Sequence, residues 1–203
     1  MILAMGLMLQ AWVAAQEPDG VTVPPNDGVL DLYFIGKRQS QIEPCGCQTK
    51  QKGGIQYESS LYHKHPGRPV LKVDAGDWVR GRLDLVPLDA LKTRYLLRAM
   101  HALGYDAINV GLNDVQNPPD FFESMREAHP GVLDALVSAN IFLKSEPEKT
   151  YFPPWRIVER ELEDGSKVRI GITGLTSINR NARESNQSLE LGEYLLKDPV
   201  ETL

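Results

Sequence analysis

The chain has 203 residues, of which 42% are hydrophobic and 24% are charged, the composition of an ordinary globular protein of about one domain. Its formal net charge is −5, from 22 Lys and Arg against 27 Asp and Glu. Because the basic residues are mostly scattered, this mildly acidic chain has no general attraction to nucleic acid or to anionic membranes, and we expect no nucleic-acid partner.

The first 15 residues form an uncharged and almost wholly apolar segment. The segment is shorter than the roughly 20 apolar residues that span a bilayer, and it ends in the small residues Val13-Ala14-Ala15. We therefore predict a signal peptide over residues 1–15, although no basic residue precedes it; the alternative is a buried N-terminal helix. A signal peptide predicts a periplasmic or secreted protein that has no membrane span once the peptide is removed.

Residues 16–29 are rich in Pro and Gly and predict a flexible linker. From residue 30 onwards, short apolar runs alternate with amphipathic ones, which indicates an α/β domain. The predicted strands are Leu30–Gly36, Val70–Val73, Asp106–Val110, Ala135–Ala139, Arg156–Leu162 and Lys167–Gly174, the last two forming a hairpin. The predicted helices are Ile55–His65, Pro87–Leu103 and Pro119–His129.

The longest predicted helix, Pro87–Leu103, carries an apolar stripe and ends at Gly104. The members of the stripe are Leu88, Leu91, Leu96, Leu97, Met100 and Leu103. An apolar stripe of this kind normally faces the core of a domain.

Polar loops follow three of the predicted strands. They run from Lys37 to Cys47, from Asp74 to Asp77 and from Gly111 to Asp114. Because chemistry in α/β sheets collects at the carboxyl ends of the strands, we expect these loops to converge if their strands are neighbours.

Four segments of the chain, in this order, resemble the exported 5′-nucleotidase and UDP-sugar hydrolase family of calcineurin-like metallophosphoesterases. They are Leu71–Asp77, Ala99–Gly111, Val137–Ile141 and Arg169–Thr176. The resemblance implies an α/β fold that is part of a four-layer αββα sandwich with mixed sheets. It places this domain over residues 30–203, either complete or continuing beyond its C-terminal end.

The resemblance also implies a metal-dependent phosphoric ester hydrolase. In this family two divalent ions, such as Mn, Zn or Mg, activate a water molecule and clamp a phosphate. A nucleotide or another phosphate ester would then be the ligand.

The chain departs from the family at most of the early metal ligands. Where the family has Asp-x-His after the first strand, this chain has Lys37-Arg38-Gln39, and where the family has Gly-Asn-His-Glu it has Gly111-Leu112-Asn113-Asp114. Asp77 matches the family's bridging aspartate, and Asn113 and Asp114 are further metal candidates. We therefore expect two-metal hydrolysis to be impaired or lost, with a divalent metal or none bound.

Four polar residues are candidates for ligand binding or for support of the site. Lys37 either pairs with Asp77 in place of a metal or is a solvated loop residue. Gln39 stands where the family has a histidine, and Asp74 is either a supporting acceptor or a loop cap. The resemblance implies that Asn140 supports the floor of the site; the alternative is a turn residue.

The two cysteines, Cys45 and Cys47, are separated by a single glycine. A disulfide between them would close a tiny ring and would be strained and easily reduced. Three interpretations stay open: a reversible thiol pair with Cys45 and Cys47 as the catalytic candidates, two soft ligands for zinc or copper, or an inert disulfide turn. The alternatives to a hydrolase are thus a non-catalytic ligand-binding domain and a thiol-based redox, sulfur-handling or metal-binding protein.

Overall fold

A computed structural model of the chain describes residues 28–44, 46, 53–62, 68–178 and 188–202. The expected signal peptide, nearly all of the expected linker and both cysteines lie outside these residues, so the predictions for them stay predictions. Within the described ranges, no helix has the length and apolar character that a membrane crossing requires.

Four short strands form a parallel sheet in the order β1-β2-β3-β4. They are β1 (Asp31–Ile35), β2 (Val70–Asp74), β3 (Ala107–Asn109) and β4 (Leu136–Val137). All four were expected from their apolar, β-prone runs, and the sequence prediction is confirmed with small shifts in the bounds.

Helices connect these parallel strands, because a parallel pair needs a crossover rather than a tight turn. A 3-10 turn, Ile55–Tyr57, leads into α1 (Glu58–Tyr62), and the later crossovers contain α2 (Pro87–Ala102) and α3 (Pro119–Ala128). Both α2 and α3 begin at a proline, whose fixed φ suits the first helical position and whose missing N–H needs no partner there.

Two antiparallel sheets complete the described fold. One has the order β6-β5-β10-β9, and the other is the hairpin of β7 and β8. Their strands are β5 (Ile141–Leu143), β6 (Glu146–Thr150), β7 (Trp155–Glu161), β8 (Lys167–Thr173), β9 (Leu189–Leu191) and β10 (Tyr194–Leu196). The hairpin was expected and is confirmed; a short helix, α4 (Pro199–Thr202), follows β10. The parallel and antiparallel sheets with their helices make this a mixed α/β fold, as expected.

The predicted apolar stripe of α2 is divided between two faces of the helix. Leu96, Leu97 and Met100 are fully buried in the core, whereas Leu88 and Leu91 are exposed. The helical rotation of 100° per residue places Leu91 on the side away from Leu96 and Leu97. The expectation of one stripe was therefore wrong, and α2 carries apolar side chains on both faces.

Candidate functional site

The three polar loops lie side by side at the carboxyl ends of β1, β2 and β3. The loop after β1 follows the loop after β2 through backbone hydrogen bonds from Lys37 N to Gly76 O (2.7 Å) and from Gln39 N to Asp77 O (3.1 Å). The Asp77 carboxylate in turn accepts a hydrogen bond of 2.9 Å from the backbone of Asn113. The structure thus brings together the loops that the sequence places after neighbouring strands.

Backbone strain is concentrated in two of these loops. Lys37, Gln39, Ser40 and Asp77 have φ values of 58°, 50°, 59° and 55°, and they account for every non-glycine residue with positive φ in the described ranges. Such conformations are unfavourable for side chains with a Cβ and persist only where surrounding contacts enforce them. Their clustering marks this rim as a candidate functional site.

A buried arginine lies immediately beneath the rim. Arg38 donates from Nε to Asp74 Oδ2 (2.8 Å), from Nη1 to Glu58 Oε1 (2.5 Å) and from Nη2 to Glu58 Oε2 (3.0 Å), and it also bonds to the hydroxyl of Tyr105. Tyr62 joins the same network through its hydroxyl, which donates to Glu58. We call these five residues the Arg38 cluster.

Of the two alternatives for Lys37, an ion pair with Asp77 or a solvated loop residue, the structure has the second. Lys37 is exposed and forms no ion pair with any residue of the described ranges. The cation that lies against a carboxylate at the end of β2 is its neighbour Arg38, and the carboxylate is Asp74. The Arg38 side chain is buried against Asp74 and Glu58, whereas Lys37 is exposed.

The carboxylates of the Arg38 cluster respond differently to their surroundings. Burial opposes the ionisation of Glu58, but hydrogen bonds from Arg38 and Tyr105 outweigh it, and the pKa of Glu58 is lowered. Burial dominates at Asp74, which has a single bond from Arg38, and its pKa is raised. Both directions follow from geometry, since Arg38 presents two donors to Glu58 and one to Asp74.

Asp114 organises the loops instead of facing a ligand. Its side chain is fully buried and accepts hydrogen bonds from the backbone N–H groups of Asp77 (2.9 Å), Val79 (2.8 Å) and Gly111 (2.7 Å). Burial raises its pKa well above the ordinary value. Because both of its oxygens are already engaged by backbone amides, the geometry gives Asp114 a structural role and disfavours it as a metal ligand.

The two candidate asparagines also have protein partners. The side-chain oxygen of Asn113 accepts a hydrogen bond of 3.0 Å from Gln116. Buried Asn140 donates to Thr176 O (2.8 Å) and Lys197 O (2.9 Å) and accepts from Thr176 N (2.8 Å). Asn140 therefore joins the segments that follow β4, β8 and β10, which fits a supporting role.

Sequence reasoning missed Glu58 and Asn109. Glu58 is in a polar run after a pair of glycines, and nothing in that run distinguishes it from a solvated helix residue. Asn109 donates to Ala75 O (3.0 Å) and Leu175 O (2.9 Å), while its side-chain oxygen is buried without a partner. It lines a cleft of about 280 Å³ between the parallel sheet and the hairpin. The sequence feature that could have pointed to Asn109 is its position at the end of a predicted strand.

The acidic residues at the rim do not fit a two-metal centre. Asp74 and Asp114 are held by internal hydrogen bonds, and Asp77 keeps one carboxylate oxygen, Oδ2, without a hydrogen bond from any residue that the structure describes. Within the described ranges, no three His, Cys, Asp or Glu side chains come together in a group that could hold a metal ion. Two divalent ions need several such ligands from different loops.

Comparisons with known sequences give limited but consistent similarity. No protein-family model matches the chain. The protein UshA of Escherichia coli K12 is 32% identical over 80 residues, which are 39% of this chain and 13% of UshA. UshA of Salmonella pullorum is 34% identical over the same extent. The match thus spans about one eighth of the length of these relatives.

Solved structures share the fold over most of the chain. The calcineurin-like phosphoesterase YfkN of Bacillus subtilis superposes with a TM-score of 0.54 at 20% identity, over 85% of this chain and 55% of YfkN. The sulfate thiohydrolase SoxB of Thermus thermophilus gives a TM-score of 0.50 at 15% identity, over 77% of this chain and 36% of SoxB. The chain thus shares the fold of the calcineurin-like phosphoesterase YfkN and of SoxB over most of its length, and it is similar in sequence to UshA over a stretch of 80 residues.

Proposed function

We propose that this domain binds a phosphate-ester or nucleotide-like ligand at the loop rim and does not hydrolyse it by the two-metal mechanism. The observation that carries the proposal is the engagement of Asp74 and Asp114 by internal hydrogen bonds, which leaves Asp77 as the one carboxylate of the described rim residues with a free oxygen. One carboxylate does not neutralise two divalent cations.

The residues around Asp77 support the loss of metal chemistry. Lys37 and Gln39 stand at the two positions where the family resemblance implies an aspartate and a histidine ligand. A lysine ammonium repels a divalent cation and cannot coordinate it. The nearby Asn113 lacks the proton chemistry of the histidine that the resemblance implies there.

The same residues favour an anionic ligand. Lys37 is an exposed cation without an ion pair among the described residues, and it adjoins the half-buried Gln39. The names of the two structural neighbours, a phosphoesterase and a sulfate thiohydrolase, refer to the oxyanion groups phosphate and sulfate. A lysine at the rim attracts such anions as a point charge.

Binding and turnover of adenosine monophosphate test this proposal. We expect calorimetric binding without release of phosphate, with and without added manganese, and we expect Lys37→Gln to weaken the affinity about tenfold or more. Lys149→Gln, which removes an exposed lysine from β6, is the matched control and should bind as the parent does. Phosphate release that depends on Asp77, or equal affinities for the two variants, would contradict the proposal.

A thiol function is the second candidate, and the stem of the cysteine loop favours it. Ile55 N donates a hydrogen bond to Ile42 O (3.0 Å). This bond holds together the two flanks of the segment that carries Cys45 and Cys47. The Arg38 to Glu58 ion pair links the same two flanks.

Reversible titration of two thiols under mild oxidant would support this function, and thiols that do not cycle between the reduced and oxidised states would rule it out. Ligand binding that survives Cys45→Ser and Cys47→Ser would assign the rim and the thiols to separate roles.

We also propose that the protein is exported, to the periplasm or outside the cell. The uncharged apolar segment over residues 1–15 supports this. Mass spectrometry of the mature protein from its natural source should find an N-terminus at or near Gln16. An intact Met1 in that material would refute export by a cleaved signal.

A further inference from the structure

Helix α2 and the turn before it expose a row of large apolar side chains. Leu85, Leu88, Leu91 and Tyr95 are 69%, 60%, 52% and 53% exposed. The spacing of three and four residues places Leu88, Leu91 and Tyr95 along one face of α2, and Leu85 lies in the turn just before the helix. We call this row the outer stripe. It is not the core face of α2, which is occupied by other, fully buried residues. Single exposed apolar residues are common, but a continuous row of four is not.

Unpaired arginines adjoin the outer stripe. Arg94 and Arg98 are exposed, and neither forms an ion pair with any residue that the structure describes. The Arg98 guanidinium lies 5.5 Å from the centre of the Tyr95 ring. The one carboxylate on the turn before the helix, Asp84, is already paired with Arg82. The free charge beside the stripe is therefore positive, in contrast to the net charge of −5 for the whole chain.

We propose that the outer stripe is a docking surface for an anionic phospholipid membrane. Leucine and tyrosine side chains of such a helix enter the boundary between headgroups and acyl chains. The long stems of Arg94 and Arg98 then lie along the apolar surface while their guanidinium groups reach lipid phosphates. Arg94 and Arg98 give this face a positive charge that complements the anionic headgroups, whereas the whole chain carries a net charge of −5.

The shape and charge of the stripe favour a membrane over a protein partner. The stripe lies on a single outward-facing helix and not in a groove, so it offers no walls to hold a partner helix. A second copy packed on the stripe would bring Arg94 and Arg98 of both copies to one interface, and like charges gathered there oppose pairing. A flat anionic surface meets neither difficulty.

Co-sedimentation of the full chain with lipid vesicles tests this proposal. One set of vesicles is phosphatidylcholine alone, and the other contains about one third phosphatidylglycerol, enough to give a negative surface. We expect binding to the anionic set that weakens with added salt. Arg94→Gln with Arg98→Gln should lower the partition coefficient roughly 30-fold, at about one kcal/mol per arginine. Leu88→Gln with Leu91→Gln should lower it at least about tenfold.

A matched control keeps the change in net charge the same. Lys167→Gln with Arg169→Gln removes two exposed cations from β8, far along the chain from α2, and should leave the partition coefficient unchanged. Equal loss with this control, equal binding to both vesicle sets, or no binding at all would overturn the proposal. A dimer in solution that Leu91→Gln disperses would also overturn it, because a second copy would then cover the stripe. Unchanged thermal melting of each variant separates these results from misfolding.

Discussion

Arg38 and Glu58 form a bidentate ion pair, with 2.5 Å from Nη1 to Oε1 and 3.0 Å from Nη2 to Oε2. The two side chains are only 7% and 8% exposed. The pair joins the loop after β1 to α1 and so fixes the two flanks of the cysteine loop. Asp74 shares the same guanidinium. A buried cluster with one cation and two carboxylates is stable only while its hydrogen bonds are complete.

Removal of Arg38 should destabilise the fold strongly. Arg38→Met leaves Glu58 and Asp74 buried without their partner, and we expect a loss of about 3 to 5 kcal/mol in the free energy of unfolding. Urea titration measures the loss. Arg169→Met, which breaks an exposed ion pair with Glu159, should cost no more than about 1 kcal/mol. Equal, small losses for both variants would show that the Arg38 cluster does not form.

Acid should weaken the contribution of Glu58. Burial opposes ionisation of this carboxyl, but the bonds from Arg38 and Tyr105 leave its pKa below the ordinary 4.5. Its contribution to stability is therefore complete above pH 4.5 and is lost as the pH falls through the folded-state pKa. Urea titrations of the parent and of Glu58→Gln, from about pH 7 to about pH 3, should show a stability difference that shrinks on acidification. A difference that grows on acidification would refute this sign.

Asp114 should act as a structural residue and not as a metal ligand. Asp114→Ala leaves three backbone N–H groups, two buried and one partly buried, without acceptors, and we expect a loss of at least about 3 kcal/mol in unfolding free energy. Added manganese should not raise the thermal melting temperature of the parent protein. A marked rise that Asp114→Ala abolishes would show that this carboxylate binds metal.

Asn140 should tolerate little change because its amide spans three segments. Asn140→Ala should cost roughly 2 to 4 kcal/mol. Asn140→Asp should cost more, since a carboxylate oxygen would then face the carbonyl oxygens of Thr176 and Lys197. Asn113→Ala, which loses one partly buried hydrogen bond to Gln116, is the control and should cost less than about 1.5 kcal/mol. Denaturant unfolding of the three variants ranks them, and a ranking with Asn113→Ala lowest in stability would be contrary evidence.

The sequence was a good guide to the parallel sheet and the hairpin, and a poor guide to the four-stranded antiparallel sheet. Strands β1 to β4 follow from apolar runs between loops, and the β7 and β8 hairpin follows from its turn residues. Strands β5, β9 and β10 have three residues each, too few for a period to be visible, and β6 (Glu146–Thr150) is largely polar. Their pairing depends on contacts distant in sequence.

At the site, the sequence indicates which residue types stand at the loop positions, but not which residues they contact. Lys37 and Gln39, at the positions where the resemblance implies an aspartate and a histidine, are visible in the sequence itself. The Arg38 cluster was not predictable, because it depends on which of two adjacent cations points inward and on the distant residues Glu58 and Tyr105. Likewise, the division of α2 into two apolar faces becomes clear only when the sheet shows which face it covers.

Equilibrium dialysis against manganese, with the bound metal measured by mass spectrometry, tests the central claim most directly. We expect no stoichiometric metal, and we expect Asp77→Asn to retain no less metal than the parent protein. Two metal ions per chain that are lost in Asp77→Asn, together with phosphate release from a generic ester, would contradict the claim and restore a two-metal hydrolase.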